Sequence, residues 1–116
     1  MNARNTVTLS VASPAEASAR AVSAFAGNME GDRITFASSE LLWKVLTRKR
    51  WELLRAMSGR GSMSMRAAAR LVERDVKAVH GDVHALLNAG ILDRREDGRI
   101  VFPYDAIHVD FMLEAA

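Results

Sequence analysis

At 116 residues with 49% apolar content and no cysteine, the chain suits one compact domain and excludes a large two-domain enzyme, a disulfide framework, a thiolate zinc site and a thiol nucleophile. Its longest apolar runs fall far short of the roughly 20 residues that a membrane-spanning helix needs, and no charged segment followed by an apolar stretch opens it. A soluble, cytoplasmic protein with no membrane association is expected. The net charge of +2 conceals an asymmetry: residues 44–99 hold 13 Lys and Arg against 7 Asp and Glu, residues 1–43 hold 3 against 4, and residues 100–116 hold 0 against 3.

The first element alternates as a strand should, with Val7, Leu9 and Val11 on one face and Thr6, Thr8 and Ser10 on the other. Ser13 as N-cap, Pro14 at the first helical position and Glu16 at the capping-box position predict a helix over 14–26, closed by Gly27. Its apolar side is mostly alanine with Val22 and Phe25, so it supplies little hydrophobic area. Gly31 and Asp32 break the chain before a short strand over 33–37 with Ile34 and Phe36 facing one way. From Ser38 or Ser39 the pattern turns helical, carrying Leu41, Leu42, Val45 and Leu46, and Thr47 caps a further helix over 48–57. That helix is expected to turn Trp51, Leu54 and Met57 inward and Arg48, Lys49 and Glu52 outward, with Trp51 as core anchor rather than ligand contact.

The glycine-rich run SGRGS (58–62) links into two short helices. The first, over 64–72, starts on Ser64 and has a small apolar face of Ala68, Ala69 and Val72 that lets a second helix approach closely. The second runs over 75–89 and closes at Gly90. Val76, Val79, Val83, Leu86 and Leu87 form its core face, leaving Lys77, Ala78, Gly81, His84 and Asn88 outside. Residues 91–95 and 99–102 then flank Glu96, Asp97 and Gly98, and the Asp-Gly pair predicts a hairpin with a type I′ turn. Arg94, Arg95 and Arg99 crowd its tip, either to meet a phosphate backbone or to pair with Asp93, Glu96 and Asp97. The C-terminal segment alternates again, Ile107, Val109, Phe111 and Leu113 against His108, Asp110, Met112 and Glu114, with a helix over 109–116 as the competing reading. The two terminal strands need partners, in each other or in a second subunit.

These elements predict an α+β fold: a winged helix-turn-helix over 38–103, preceded by a strand-helix-strand element over 1–37 for dimerisation or partner binding, and followed over 104–116 by a strand completing a small sheet. A basic stripe centred on a helix-turn-helix is the electrostatic footprint of a protein that displaces counterions from phosphates, so double-stranded DNA is the expected partner. Arg74, Lys77 and His84 form the groove-facing set, with Ala78 placed to touch a thymine methyl. Arg66 and Arg70 would hold phosphates, and Arg94, Arg95 and Arg99 would make the wing contact.

The stretch from Lys44 to Leu113, above all RDVKAVHGDVHALLNAGIL (Arg74 to Leu92) and PYDAIHVDF (Pro103 to Phe111), resembles a group of small prokaryotic winged-helix regulators related to the MarR and ArsR superfamily. Some members of that group look like antitoxins encoded beside a small toxin of the TumE type. The resemblance implies a dimer that represses its own operon and, for the antitoxin-like members, neutralisation of a toxin. Two residues depart from the group's usual pattern. Glu73 stands where the helix-helix turn commonly holds glycine, and a left-handed conformation costs a non-glycine residue roughly 1 kcal/mol or more, so a differently shaped turn is expected. Gly81 stands in the exposed middle of the second helix, where a basic residue is more usual; it either permits close backbone approach to DNA or weakens the grip.

Other chemistry is thin. His80 and His84 are four residues apart, with Asp82 or His108 as a candidate third metal ligand, but without cysteine or an HExxH glutamate they read as helix-surface histidines. The sequence holds no nucleophile elbow, and Gly59, Arg60 and Gly61 lack the Lys-Ser/Thr that completes a P-loop, so neither an enzyme nor a bound cofactor is expected.

Overall fold

Strand β1 (Thr6–Val11) lies at the centre of a three-stranded sheet, between β2 (Asp32–Phe36) on one side and β5 (Ala106–Asp110) on the other. The computed structural model describes residues 5–11 and 32–110, and within them the chain is a mixed α+β fold. Both pairings are parallel: Val7 sits opposite Asp32 and Val11 opposite Phe36, while Thr6 sits opposite Ala106 and Ser10 opposite Asp110. The two terminal strands therefore meet within one chain; residues 106–110 are strand, and all but the first two residues of the competing helix over 109–116 lie outside the described residues. A parallel pair needs a crossover of a dozen or more residues, usually helical. The helix expected over 14–26 falls in that crossover and lies outside the described residues, as do Phe111 and Leu113.

Alternation explains the sheet's position. Val7 and Leu9 are fully buried and belong to the same apolar cluster as the helices, joined by Val11, Ile34 and Phe36 at its margin. Ser10, on the opposite face, is also fully buried, and its hydroxyl lies 3.2 Å from that of Thr35 on β2.

Four helices follow β2 among the described residues: α1 (Ser39–Val45), α2 (Arg48–Met57), α3 (Met65–Leu71) and α4 (Val76–Asn88). Each starts on a side chain that accepts from a backbone N–H of the first turn: Ser38 from Leu41, Thr47 from Arg50, Ser64 from Ala67 and Asp75 from Lys77. Such caps stabilise a helix by about 1 kcal/mol each. The core is built from Leu42, Leu53, Leu54, Met57, Val79, Val83, Leu86, Ile91 and Ile100, all essentially without solvent exposure.

Two inward assignments are corrected. Trp51 is 46% exposed, with the Arg55 guanidinium 5.7 Å from its ring centroid, and Leu53 takes the buried position instead. At 100° per residue the buried face of α2 centres between Leu54 and Met57, and Trp51 lies about 110° from that centre. Val76 is 38% exposed; it is the first residue of α4 and borders the open concavity between α3 and α4.

The helix ends explain the turn between α3 and α4. After α3, the Glu73 N–H donates to the Arg70 carbonyl (3.2 Å) and the Arg74 N–H to the Ala69 carbonyl (3.1 Å); after α4, Gly90 donates to Leu87 (3.1 Å) and Ile91 to Leu86 (3.0 Å). Both are Schellman endings, which require one left-handed residue. Gly90 supplies it at φ 84°, and Glu73 supplies it at φ 52°. Glu73 thus adopts the glycine conformation, and the expected change in turn shape does not occur. Glu73→Gly is expected to stabilise the protein by roughly 0.5–1 kcal/mol, the relief of left-handed strain less the added freedom of the unfolded chain. A rise in the urea midpoint at constant slope would register it, and an unchanged midpoint would contradict it.

The hairpin pairs β3 (Asp93–Arg94) with β4 (Ile100–Val101), and Met63 adds a single rung on the other side of β4 through hydrogen bonds of 2.8 and 2.9 Å with Ile100. Its turn differs from expectation. Only Gly98 has a positive φ, 85°, while Gly98 N–H donates to the Arg95 carbonyl and Arg95 N–H to the Arg99 carbonyl. That is a three-residue loop with a glycine bulge, in which Asp97 keeps a negative φ and accepts from the Arg99 N–H at 3.0 Å.

Candidate nucleic-acid interface

On α4 the apolar residues at helical spacing, Val79, Val83 and Leu86, turn inward and are fully buried. Their burial fixes the rotation of the helix, so Lys77, Ala78, Gly81, His84 and Asn88 lie on its exposed side. Nothing lies within 4 Å of the position a Cβ would occupy at Gly81. No packing inside the described chain therefore requires glycine there, although glycine costs about 1 kcal/mol relative to alanine within a helix.

Arg66 and Arg70 are exposed on α3 and line an open concavity with Glu73, Arg74, Asp75 and Val76, between α3 and the start of α4. Arg74 has a different role from its neighbours. Its Nη2 lies 2.8 Å from Asp82 Oδ2, and its side chain is only 19% exposed. The other carboxylate oxygen, Oδ1, accepts from Arg50 Nε at 3.0 Å, and Arg50 Nη1 donates onward to the carbonyls of Lys44 (2.9 Å) and Val45 (3.1 Å) at the end of α1. One carboxylate on α4 thereby ties α1, α2 and the α3–α4 turn together. In this arrangement Arg74 turns toward Asp82, and both oxygens of Asp82 stand against guanidinium groups. Neither Arg50 nor Asp82 carried a sequence signal beyond charge, since the pair spans 32 residues.

The hairpin presents Arg94, Arg95 and Arg99, all exposed. Arg94 Nη1 donates to the Gly98 carbonyl at 3.2 Å, and Arg99 Nε stands 3.9 Å from Asp97 Oδ2 with both side chains more than half exposed. A pair so loose and so wet contributes little, which leaves these guanidinium groups available.

Two further side-chain groupings involve a histidine pair and a tyrosine. The Nε2 atoms of His80 and His84 are 3.1 Å apart on the exposed side of α4. Tyr104 packs edge-on to Phe102 at 5.7 Å between centroids, and its phenol is pushed up to about 12, by burial first and then by its hydrogen bond to Asp32 and the charges of Asp32 and Asp93. That phenol stays protonated across the physiological range and ties the chain after β4 to β2. No helix among the described residues is long and apolar enough to cross a membrane.

Among known proteins, the model of the family described as HVO_A0114 matches residues 45–109, from the end of α1 into β5. No curated protein and no solved structure matches the chain.

Proposed function

The chain belongs to the HVO_A0114 family, which matches the stretch holding all of these exposed cations, and from that premise we propose that it is a sequence-specific DNA-binding regulator of the winged helix-turn-helix class, acting as a dimeric repressor of its own operon. The observation that carries the reading is the outer face of α4. It combines a cation, Lys77, a small apolar contact, Ala78, a glycine that no internal packing demands, Gly81, and an imidazole, His84. In a major groove Gly81 lets the helix backbone approach the bases, Lys77 and His84 reach base edges, and Ala78 meets a thymine methyl. Arg66 and Arg70 take phosphates beside that groove, and Arg94, Arg95 and Arg99 take them from the hairpin, the wing of the fold. Arg74 acts indirectly, by holding α4 at its angle through Asp82. The protein performs no catalysis and needs no cofactor in this role.

A second reading is favoured by exposed apolar side chains on α1 and α2: Leu41, Trp43 and Trp51 are 45%, 50% and 46% exposed. Large apolar side chains about half exposed to solvent mark protein-interaction surfaces, which suits an antitoxin that covers a small toxin.

Fluorescence anisotropy with the promoter duplex of the chain's own gene against a scrambled duplex, across a salt series, tests the first reading. Promoter preference of several-fold or more, with affinity falling steeply as salt rises and weakened by Lys77→Ala, is the expected result. Equal or negligible binding to both duplexes would leave the protein-interaction reading in its place.

A further inference from the structure

His80 and His84 read in sequence as surface histidines, but their side chains converge. Their ring centroids are 4.3 Å apart, and the Nε2 atoms approach to 3.1 Å. The i, i+4 spacing puts both rings over one turn of α4. Such a distance fits a hydrogen bond from one neutral imidazole to the other; it also fits the bite of a chelated ion. A Zn²⁺ ion at about 2.05 Å from each nitrogen would sit at an N–metal–N angle of about 98°, between the octahedral and tetrahedral values, with no movement of the backbone.

We propose that His80 and His84 form an exchangeable chelating site for one divalent transition-metal ion, of the Zn²⁺ or Ni²⁺ class. Imidazole nitrogen selects such ions over Mg²⁺ and Ca²⁺, which demand oxygen. Among the described residues no group of three His, Cys, Asp or Glu side chains converges, and a site built on two rings leaves coordination positions for water, which makes the ion exchangeable. Lys77 lines the same concavity as His80, and its ammonium moderates the affinity by charge repulsion. Ion binding stands on the two rings alone. Its consequence for DNA rests on the function proposed above: a bound ion holds both rings and withdraws His84 from the base edges.

The test is calorimetric titration of the untagged full chain with Ni²⁺ and separately with Zn²⁺, with imidazole resonances followed by NMR. One ion per chain is expected, with the signals of His80 and His84 perturbed and that of His108 unmoved, and with no heat from Mg²⁺. His80→Gln and His84→Gln, both at exposed positions, are each expected to weaken binding by more than about tenfold, at least what the loss of an outer-shell partner costs a metal site. His108→Gln is expected to bind as the parent does. Absence of stoichiometric binding, or binding that survives in the double variant, would overturn the site. Zn²⁺ is further expected to weaken promoter binding by the parent and not by His80→Gln. Promoter binding without metal binding overturns the site alone; metal binding without any effect on a measurable promoter affinity upholds the site and removes His84 from the DNA contact.

Discussion

Replacing Asp82 by alanine is expected to lower the unfolding free energy by about 2–3 kcal/mol, the largest effect of any polar substitution among the described residues. Its carboxylate, 15% exposed, stands 3.0 Å from Arg50 Nε and 2.8 Å from Arg74 Nη2, and those side chains are themselves only 21% and 19% exposed. Its removal leaves two neighbouring guanidinium groups without a counter-charge. Loss of one partner from a fully buried pair costs about 3–5 kcal/mol; partial solvent access and the carbonyls that still hold Arg50 reduce that here. Glu52, which pairs with Arg48 at 3.3 Å on the surface of α2 with Arg48 90% exposed, provides the comparison. Glu52→Ala is expected to change stability by less than about 0.5 kcal/mol. Urea denaturation measures both, and an Asp82→Ala midpoint within that smaller range would show that the three charges do not hold the helices together.

The second large effect concerns the hairpin. Arg94, Arg95 and Arg99 replaced together by alanine are expected to weaken promoter binding about 100-fold at physiological salt, roughly 1 kcal/mol for each guanidinium withdrawn from a phosphate. The salt dependence should soften in parallel, with the slope of log affinity against log salt falling by about 2–3. Scrambled duplex should lose affinity by a similar factor, because phosphate contacts carry no sequence. The fold should survive: the side-chain interactions at stake are the hydrogen bond from Arg94 to the Gly98 carbonyl and the loose pairing of Arg99 with Asp97. Unchanged affinity with an unchanged slope would remove the hairpin from the interface.

Local rules made most of the helical part legible. Thr47 and Ser64 announce two helix starts by their chemistry, and Gly90 announces an end, because capping involves residues within five positions of one another; Asp75, read as the first residue of its helix, is its cap. Glu73 defeated the same rule in the other direction, since the Schellman hydrogen bonds of Arg70 and Ala69 outweigh the strain at φ 52°. Trp51 was misplaced because a hydrophobicity pattern does not distinguish a face centred on Leu54 from one centred on Leu53, Leu54 and Met57 together. Arg50 sits near the middle of that buried face, where a charge looks like an error until its partner Asp82 is found 32 residues away. The parallel pairing of β1 with β5 was equally hidden, since strand alternation reveals burial and not the identity or direction of a neighbour. The candidate interface divides along the same line: exposure of Lys77, Ala78, Gly81 and His84 follows from helical periodicity, whereas the diversion of Arg74 to Asp82 and the meeting of His80 with His84 follow from side-chain geometry.

The middle strand of the sheet also has a history in time. β1 is made early, but its partner β5 comes late: Asn5 and Asp105, which seal the pairing through hydrogen bonds of 2.7 and 3.1 Å, are separated by 100 residues. At the usual pace of synthesis, roughly 5–20 residues per second, Val7 and Leu9 wait about 5–20 s for that neighbour. Closing a loop of this length costs about 4 kcal/mol of chain entropy, whereas α3, α4 and the hairpin close over a handful of residues. The helices and hairpin therefore assemble first, the sheet completes last, and a newly made chain passes through a state in which its central strand, with Val7 and Leu9, still has an open edge.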